Sequence, residues 1–288
     1  MMVARSFLAA VAMLPFGCAT VPPARGIVSA EDPAAGETGP AAGATPLVED
    51  EEVLRVSPEM EAFLDRHVPR RANRASRLRQ LTRAILDTRI LGLRYDETTR
   101  TAAETFRAAQ GNCLSFATMF VAMARRAGLE AHFQEMETPP DWTLRGDALV
   151  LNRHVNVVVG LGRAGDHVVD FNLEGFRASY DRRRIPDTRA LAHHDNNLAV
   201  ERMQAGDAST ALRYLRRALR RDPSFSPAWT NLGILHVREG RSSHAEAAYL
   251  RALAEAEAGE PTAAHRNQRL PRLVAGPAQQ VADRARAF

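Results

Sequence analysis

The spacing of apolar and polar residues changes along this 288-residue chain, and the changes divide it into parts. Helical segments are predicted at Pro58 to His67 and at Ala75 to Leu91, with a shorter one leading in at Ala102 to Ala109. Leu114 to Ala127 is almost continuously apolar and closes in Arg125-Arg126-Ala127-Gly128. Basic residues followed by glycine suit the end of a helix. The period then drops to two. Leu129 to Met136 reads as a short mixed strand. Ala148 to Gly160 reads as a β-branched strand with Val155, Val157 and Val159 on one face. Its other face carries Asn152, His154 and Asn156, where a buried strand would place aliphatics. After a turn containing Gly162 and Gly165 comes His167-Val-Val-Asp170-Phe-Asn172. A hairpin folding about Gly162 puts Asp170 beside His154 on one face, whereas one folding nearer Gly165 offsets the pair along the strands.

That polar face acquires meaning from a cysteine upstream. The chain has two cysteines. One, Cys113, lies in Gln110-Gly-Asn-Cys113-Leu-Ser-Phe, at the start of the apolar helix. A thiol there faces the positive end of the helix dipole, which favours the thiolate. On residue type alone a buried, inert cysteine is the commoner case. The histidine and aspartate downstream argue against it. An imidazole within hydrogen-bond reach converts a weakly ionised thiol into a thiolate–imidazolium pair and returns the proton to a leaving amine. A carboxylate on the other ring nitrogen fixes the tautomer and stabilises the imidazolium. His167 and His132 are rival bases, but His167 falls on the opposite strand face from Asp170 and His132 sits mid-way along a shorter strand.

The segments Gly-Asn-Cys113-Leu-Ser-Phe-Ala, Arg126-Ala-Gly-Leu, Arg153-His154-Val-Asn-Val and Val169-Asp170, between Thr99 and Asn172, resemble the transglutaminase-like (transglutaminase core) cysteine superfamily, of the broader papain-like kind. The resemblance implies an α+β core in which the cysteine begins a helix packed on an antiparallel sheet. It also implies that Cys113 is the nucleophile, His154 the general base and acid, and Asp170 its orienter. The oxyanion would be held by the backbone N–H of Cys113, with Gln110 as a further candidate donor. Many members carry tryptophan soon after the histidine and proline after the aspartate. This chain has Asn156 and Phe171, so the family's substrate class does not carry over.

The N-terminus bears on location. Arg5 precedes an apolar run, Ser6 to Phe16, of signal-peptide length and too short to span a bilayer. It leads to Leu14-Pro-Phe-Gly17-Cys18, which resembles a bacterial lipoprotein processing site, although Leu14 lies one position further from the cysteine than is usual. The resemblance implies lipidation of Cys18 and, with Ala19 following, an outer-membrane rather than inner-membrane destination. The expectation is thus an exported, periplasmic protein held to the membrane by its lipid alone. Pro22 to Pro46, rich in Ala, Gly and Pro, reads as a disordered spacer. The formal net charge is +4. Arg70-Arg71 and Arg182-Arg183-Arg184 lack interleaved aromatics, so they read as solvated faces and not as a nucleic-acid surface. There is no lysine anywhere in the chain.

The last third repeats itself. Leu198-Ala199 recurs as Leu232-Gly233, Gly206 as Gly240, Ala211 as Ala245, Leu215 as Tyr249 and Ala218 as Ala252, each pair 34 positions apart. With Trp229 and Pro223, this resembles tetratricopeptide repeats, which implies an all-α C-terminal part. The small residues let paired helices approach, while Leu215 and Tyr249 fill the space between repeats. Two repeats bury too little to stand alone, so they are expected to stack on the core, either as a buttress or to bind a peptide or protein partner. His193-His194-Asp195 lacks a converging ligand set for a metal, and no phosphate-binding loop or dinucleotide fingerprint is present. No cofactor or metal is implied. The expected organisation is a signal peptide at 1–17, a tether at 18–50, the transglutaminase-like domain at 51–190, two repeats at 191–257 and an irregular cap at 258–288. Two functions fit. One is a cysteine-dependent amide hydrolase or acyltransferase acting on protein or cell-wall peptides through a thioester; the other is a non-catalytic scaffold whose repeats grip a partner.

Overall fold

Four helical segments lead up to the cysteine in the computed structural model, which describes residues 45–145, 148–171 and 182–258. They are α1 (Asp50–Val53), α2 (Pro58–His67), α3 (Arg74–Leu86) and α4 (Ala102–Ala108). Each of the last three starts at a side chain that accepts a backbone N–H of the first turn: Ser57, Asn73 and Thr101. At α4 the cap is reciprocal, since Glu104 also accepts from the Thr101 N–H at 2.9 Å. α3 stops at Leu86, short of the Leu91 that its apolar spacing suggested. The Asp87 carboxylate takes the Arg89 N–H at 3.0 Å, turning the chain out of the helix.

α5 (Cys113–Arg126) is the centre of the core. Every residue from Leu114 to Ala124 is buried, as befits a helix apolar on all sides. Met119, Phe120 and Met123 are wholly inaccessible, and each contributes on the order of 1.5–3 kcal/mol by burial. Phe120→Ala is the change most damaging to this core, at about 3–5 kcal/mol. Gly128, at φ +72°, ends the helix, and the Arg77 guanidinium caps it by donating to the Ala127 carbonyl.

Two strands of two residues, β1 (Arg94–Tyr95) and β2 (Gln110–Gly111), pair in parallel beside the start of α5. The main sheet consists of β3 (Glu130–Arg145), β4 (Ala148–Gly160), β5 (Asp166–Val169) and β6 (Arg182–Ile185). It is antiparallel, in the order β5-β4-β3-β6. β3 runs well past Met136, where the sequence suggested an end. Its register against β4 shifts between Met136 and Asp141, around Pro139-Pro140, whose nitrogens cannot donate to the ladder. Arg182-Arg183-Arg184 is exposed, as a solvated face requires, and it forms an edge strand, β6, which the sequence reading did not foresee, with charged side chains that discourage further pairing. Val155, Val157, Val159 and Val169 join α5 in one apolar cluster.

The C-terminal part is two helical hairpins, α6 (Asp187–Gln204) with α7 (Ala208–Arg221) and α8 (Ser226–Arg238) with α9 (Ser242–Ala258). Leu198, Ala211, Leu215, Ala218, Trp229, Leu232, Ala245 and Ala252 are all buried. A Cβ on Gly233 would lie 2.5 Å from the Tyr249 ring, so the close crossing of α8 and α9 needs glycine there. The division expected after residue 190 falls inside α6. The tether expected to reach residue 50 is also shorter. Leu47 and Val48 pack on the repeat core, Val48 donates to the Tyr214 hydroxyl at 3.2 Å, and Asp50 pairs with Arg221. Cys18, Asn172, the signal segment and the expected cap after Ala258 lie outside the described residues.

Candidate active site

The sequence around Cys113 is held by small polar contacts. Asn112 caps α5, accepting the Ser115 N–H at 2.9 Å, which leaves the Cys113 N–H without a partner inside the helix. Asn112 itself donates to Thr99 Oγ1 at 2.8 Å, and Ser115 Oγ accepts the Arg100 N–H at 2.9 Å. Gly111 is needed because a Cβ there would come within 2.7 Å of the Ser115 Cβ. These contacts fix the half-buried thiol against the loop that precedes it. Gln110 lies in β2, half-buried, and its carbonyl accepts from Arg100 Nη1 at 3.2 Å.

His154 is the first β4 residue paired after the slip beside Pro139-Pro140, a place where strands commonly redirect a side chain. Its Nε2 lies 2.8 Å from each oxygen of Asp170, and Cys113 is near enough to support the protonated ring. The structure therefore brings Cys113, His154 and Asp170 together. The hairpin register falls between the two alternatives left open by the sequence. Val157 pairs with Val169 and Gly160 with Asp166. One step on, Asp170 comes opposite Asn156, and His154 reaches it diagonally. Asn156 is the partner the sequence reading missed. Its Nδ2 donates to Asp170 Oδ2 at 2.9 Å from a position only 1% exposed. Its place two residues after His154 on a polar strand face was the available signal. Of the rival bases, His167 is exposed and His132 turns toward Glu130.

The electrostatics of the group favour a charged imidazole. Burial, the largest influence on His154, disfavours the imidazolium. The hydrogen bonds to Asp170 and Cys113, and the charges of both, outweigh it and push the pKa from 6.5 up to about 10. Because the folded value is the higher, the associated stability is fully present below about pH 6.5 and is lost as pH rises through about 10. An NMR titration of the His154 ring is expected to show imidazolium throughout the neutral range in the wild type and a lower midpoint in Cys113→Ala. An ordinary histidine midpoint in the wild type would contradict the pairing.

Helix α6 reaches this site in two places. Glu201 of α6 accepts the Thr99 N–H at 2.8 Å, directly behind the Asn112 cap. Glu135 of β3, 5% exposed, accepts from Arg189 Nε at 2.8 Å and lies 2.6 Å from His193 Nε2. Burial would raise the Glu135 pKa, but the hydrogen bond and charge of His193 and the charge of Arg189 hold the carboxyl far below the usual range. Within His193-His194-Asp195 the side chains diverge. His194 is fully buried and is pushed down to about 3 by desolvation and by Arg217 and Arg221, so it is neutral, while Asp195 takes Arg217 at 2.7 Å.

Comparison with known proteins finds two families in successive parts of the chain. The family model of the transglutaminase-like superfamily matches residues 66–168, a span that includes Cys113 and His154 and ends just short of Asp170. The tetratricopeptide repeat model matches residues 202–265. No curated protein and no solved structure matches the chain.

Proposed function

We propose that this chain, a transglutaminase-like domain followed by tetratricopeptide repeats, is a cysteine-dependent amide hydrolase or acyltransferase acting on protein or cell-wall peptides. The observation that carries the reading is the 2.8 Å contact of His154 Nε2 with Asp170, on a ring whose protonated form the neighbouring Cys113 supports. With Nε2 committed to the carboxylate, Nδ1 remains for the sulfur. In the first half-reaction the Cys113 thiolate attacks an amide carbonyl carbon, and a C–S bond forms as the carbonyl π pair moves to oxygen. The Cys113 N–H, aided by Gln110, stabilises that oxyanion. Collapse breaks the C–N bond, and the amine leaves with the proton from His154, giving a thioester. In the second, water or an amine attacks the thioester carbonyl. His154 takes its proton, and the thiolate departs.

The test is to map a covalent adduct formed with a peptide bearing an electrophilic carbonyl. Modification at Cys113, lost in His154→Ala, is the expected result. Equal modification in both proteins would leave the scaffold reading. Hydrolysis and amine transfer are separated by adding a diamine. Because the chain has no lysine, no side-chain amine of its own competes as acceptor. Release of free carboxylate without diamine incorporation assigns a hydrolase, and efficient incorporation assigns an acyltransferase.

Asn156 acts through Asp170 as a positioning residue. Asn156→Ala is expected to lower kcat by roughly 10–100-fold, by analogy with the hydrogen bonds that orient metal ligands. It should also move the alkaline limb of the pH–rate profile downward, because a less firmly held carboxylate supports the imidazolium less. A purely structural role would reduce activity without moving that limb.

Export and lipidation at Cys18 are part of the same proposal and rest on residues 1–19. Incorporation of a labelled fatty acid into the wild type but not into Cys18→Ser is the expected outcome. The repeats are a type of module that commonly binds proteins, which supports a protein partner as a further element of the proposal.

A further inference from the structure

Cys113 borders a shallow pocket of about 40 Å³, a volume on the order of one or two water molecules. Leu114 and Val155 line it from the core, whereas His193, Asn196, Asn197, Phe225 and Pro227 line it from the repeats. On α6, His193, Asn196 and Asn197 have i, i+3, i+4 spacing and so share one helix face. Phe225 and Pro227 flank the start of α8.

This wall is braced from behind. His193 is fixed by Glu135 at 2.6 Å and lies 4.5 Å, centroid to centroid, from the Phe225 ring. The Arg189 guanidinium covers the same ring at 4.7 Å while bonding Asp222 at 2.7 Å. Asn196 Oδ1 accepts from Asn231 at 2.8 Å. Side chains locked in this way do not yield to a bulky group by rotation, so this wall limits size on the side of the repeats.

We infer that the repeats form one wall of the substrate subsite beside Cys113 and that this subsite admits only acyl groups carrying at most a methyl on the carbon next to the carbonyl. The inference rests on the reading of Cys113 as the nucleophile. Two sources have this chemistry: a main-chain amide after glycine or alanine, and a glutamine side-chain carboxamide, whose carbon next to the carbonyl is a methylene. A valine or phenylalanine in the same position would meet the braced wall. The repeats thereby select the substrate at the reacting atom.

The full-length protein is treated with peptidyl chloromethyl ketones ending in glycine, alanine, valine or phenylalanine, with a peptide carrying a diazoketone on a glutamine-length side chain, and with iodoacetamide. Modification of Cys113 is followed by mass spectrometry. The wild type is expected to prefer glycine and alanine over valine and phenylalanine by roughly 10-fold or more, the discrimination a single pocket provides. In Asn197→Ala/Pro227→Ala, two half-buried positions at the mouth, that ratio should fall toward one. A wild type without discrimination overturns the inference by itself, even if the variant does not fold. So does a folded variant with an unchanged ratio. Faster reaction of either the glycyl ketone or the glutamine-length diazoketone supports the inference and identifies the source. Iodoacetamide reports separately on the nucleophile. Labelling of Cys113 that is indifferent to His154→Ala would overturn the catalytic reading and the subsite with it.

Discussion

Asp170→Asn is expected to lower turnover by roughly 10⁴-fold with the fold intact, by analogy with the carboxylate of serine triads. Both Asp170 oxygens lie 2.8 Å from His154 Nε2, so the carboxylate accepts the Nε2 proton and leaves Nδ1 as the base toward Cys113. An asparagine can present its N–H₂ group to Nε2 instead. That stabilises the opposite tautomer, in which Nδ1 already carries a proton and cannot take the one from the thiol. The substitution also removes a charge that supports the raised pKa of His154, so the alkaline limb of the rate profile should move down as the maximum falls. Circular dichroism and the melting curve separate this from unfolding. The natural competitor is Asn172, two residues on. Full activity in Asp170→Asn together with complete loss in Asn172→Ala would transfer the orienting role.

Elements governed by local spacing were legible in the sequence, and those governed by distant partners were not. α5 and β4 emerged at almost their full extent because apolar runs, caps and β-branched alternation are local signals. Cys113, His154 and Asp170 were legible for the same reason: they stand at a helix start, on the polar face of a strand and just past the end of the next strand. The end of α3 was misread because the Asp87 turn competes with helix using a side chain whose effect depends on the next two residues. β6 escaped notice because an arginine-rich segment forms a strand only once β3 supplies Glu135 and its neighbours as partners. The repeat-borne wall of the thiol cavity had no local signal at all. His193 and Glu135 are separated by 58 positions, and nothing in either neighbourhood predicts a bond of 2.6 Å. Asn156 lies between these cases. Its face was evident, but its direct alignment with Asp170 depended on a hairpin register that two glycines left ambiguous.

A chain ended after Pro186, before α6, is expected to lose most of its stability. Glu135 would then lose Arg189 and His193 together with the helix that covers it, the half-exposed Arg183 being its remaining partner. Losing these pairs and the apolar surface that α6 covers is large against a total of roughly 5–15 kcal/mol for a domain. Loss of Glu201 also removes the acceptor for Thr99 and slackens the loop that supports the Asn112 cap. The truncated chain should melt earlier than the full chain, bind an apolar dye and label more slowly at Cys113. The electrostatic cause can be isolated with Glu135→Leu. In the full chain this change removes the carboxylate that Arg189 and His193 share and should lower stability. In the truncated chain, where α6 no longer covers this position, it should change stability much less. An equal change in both chains would place the loss in apolar packing alone. If the truncated and full chains melted at the same temperature, the repeats would be an independent arm, and the coupling of α6 to the cysteine loop would have no energetic weight.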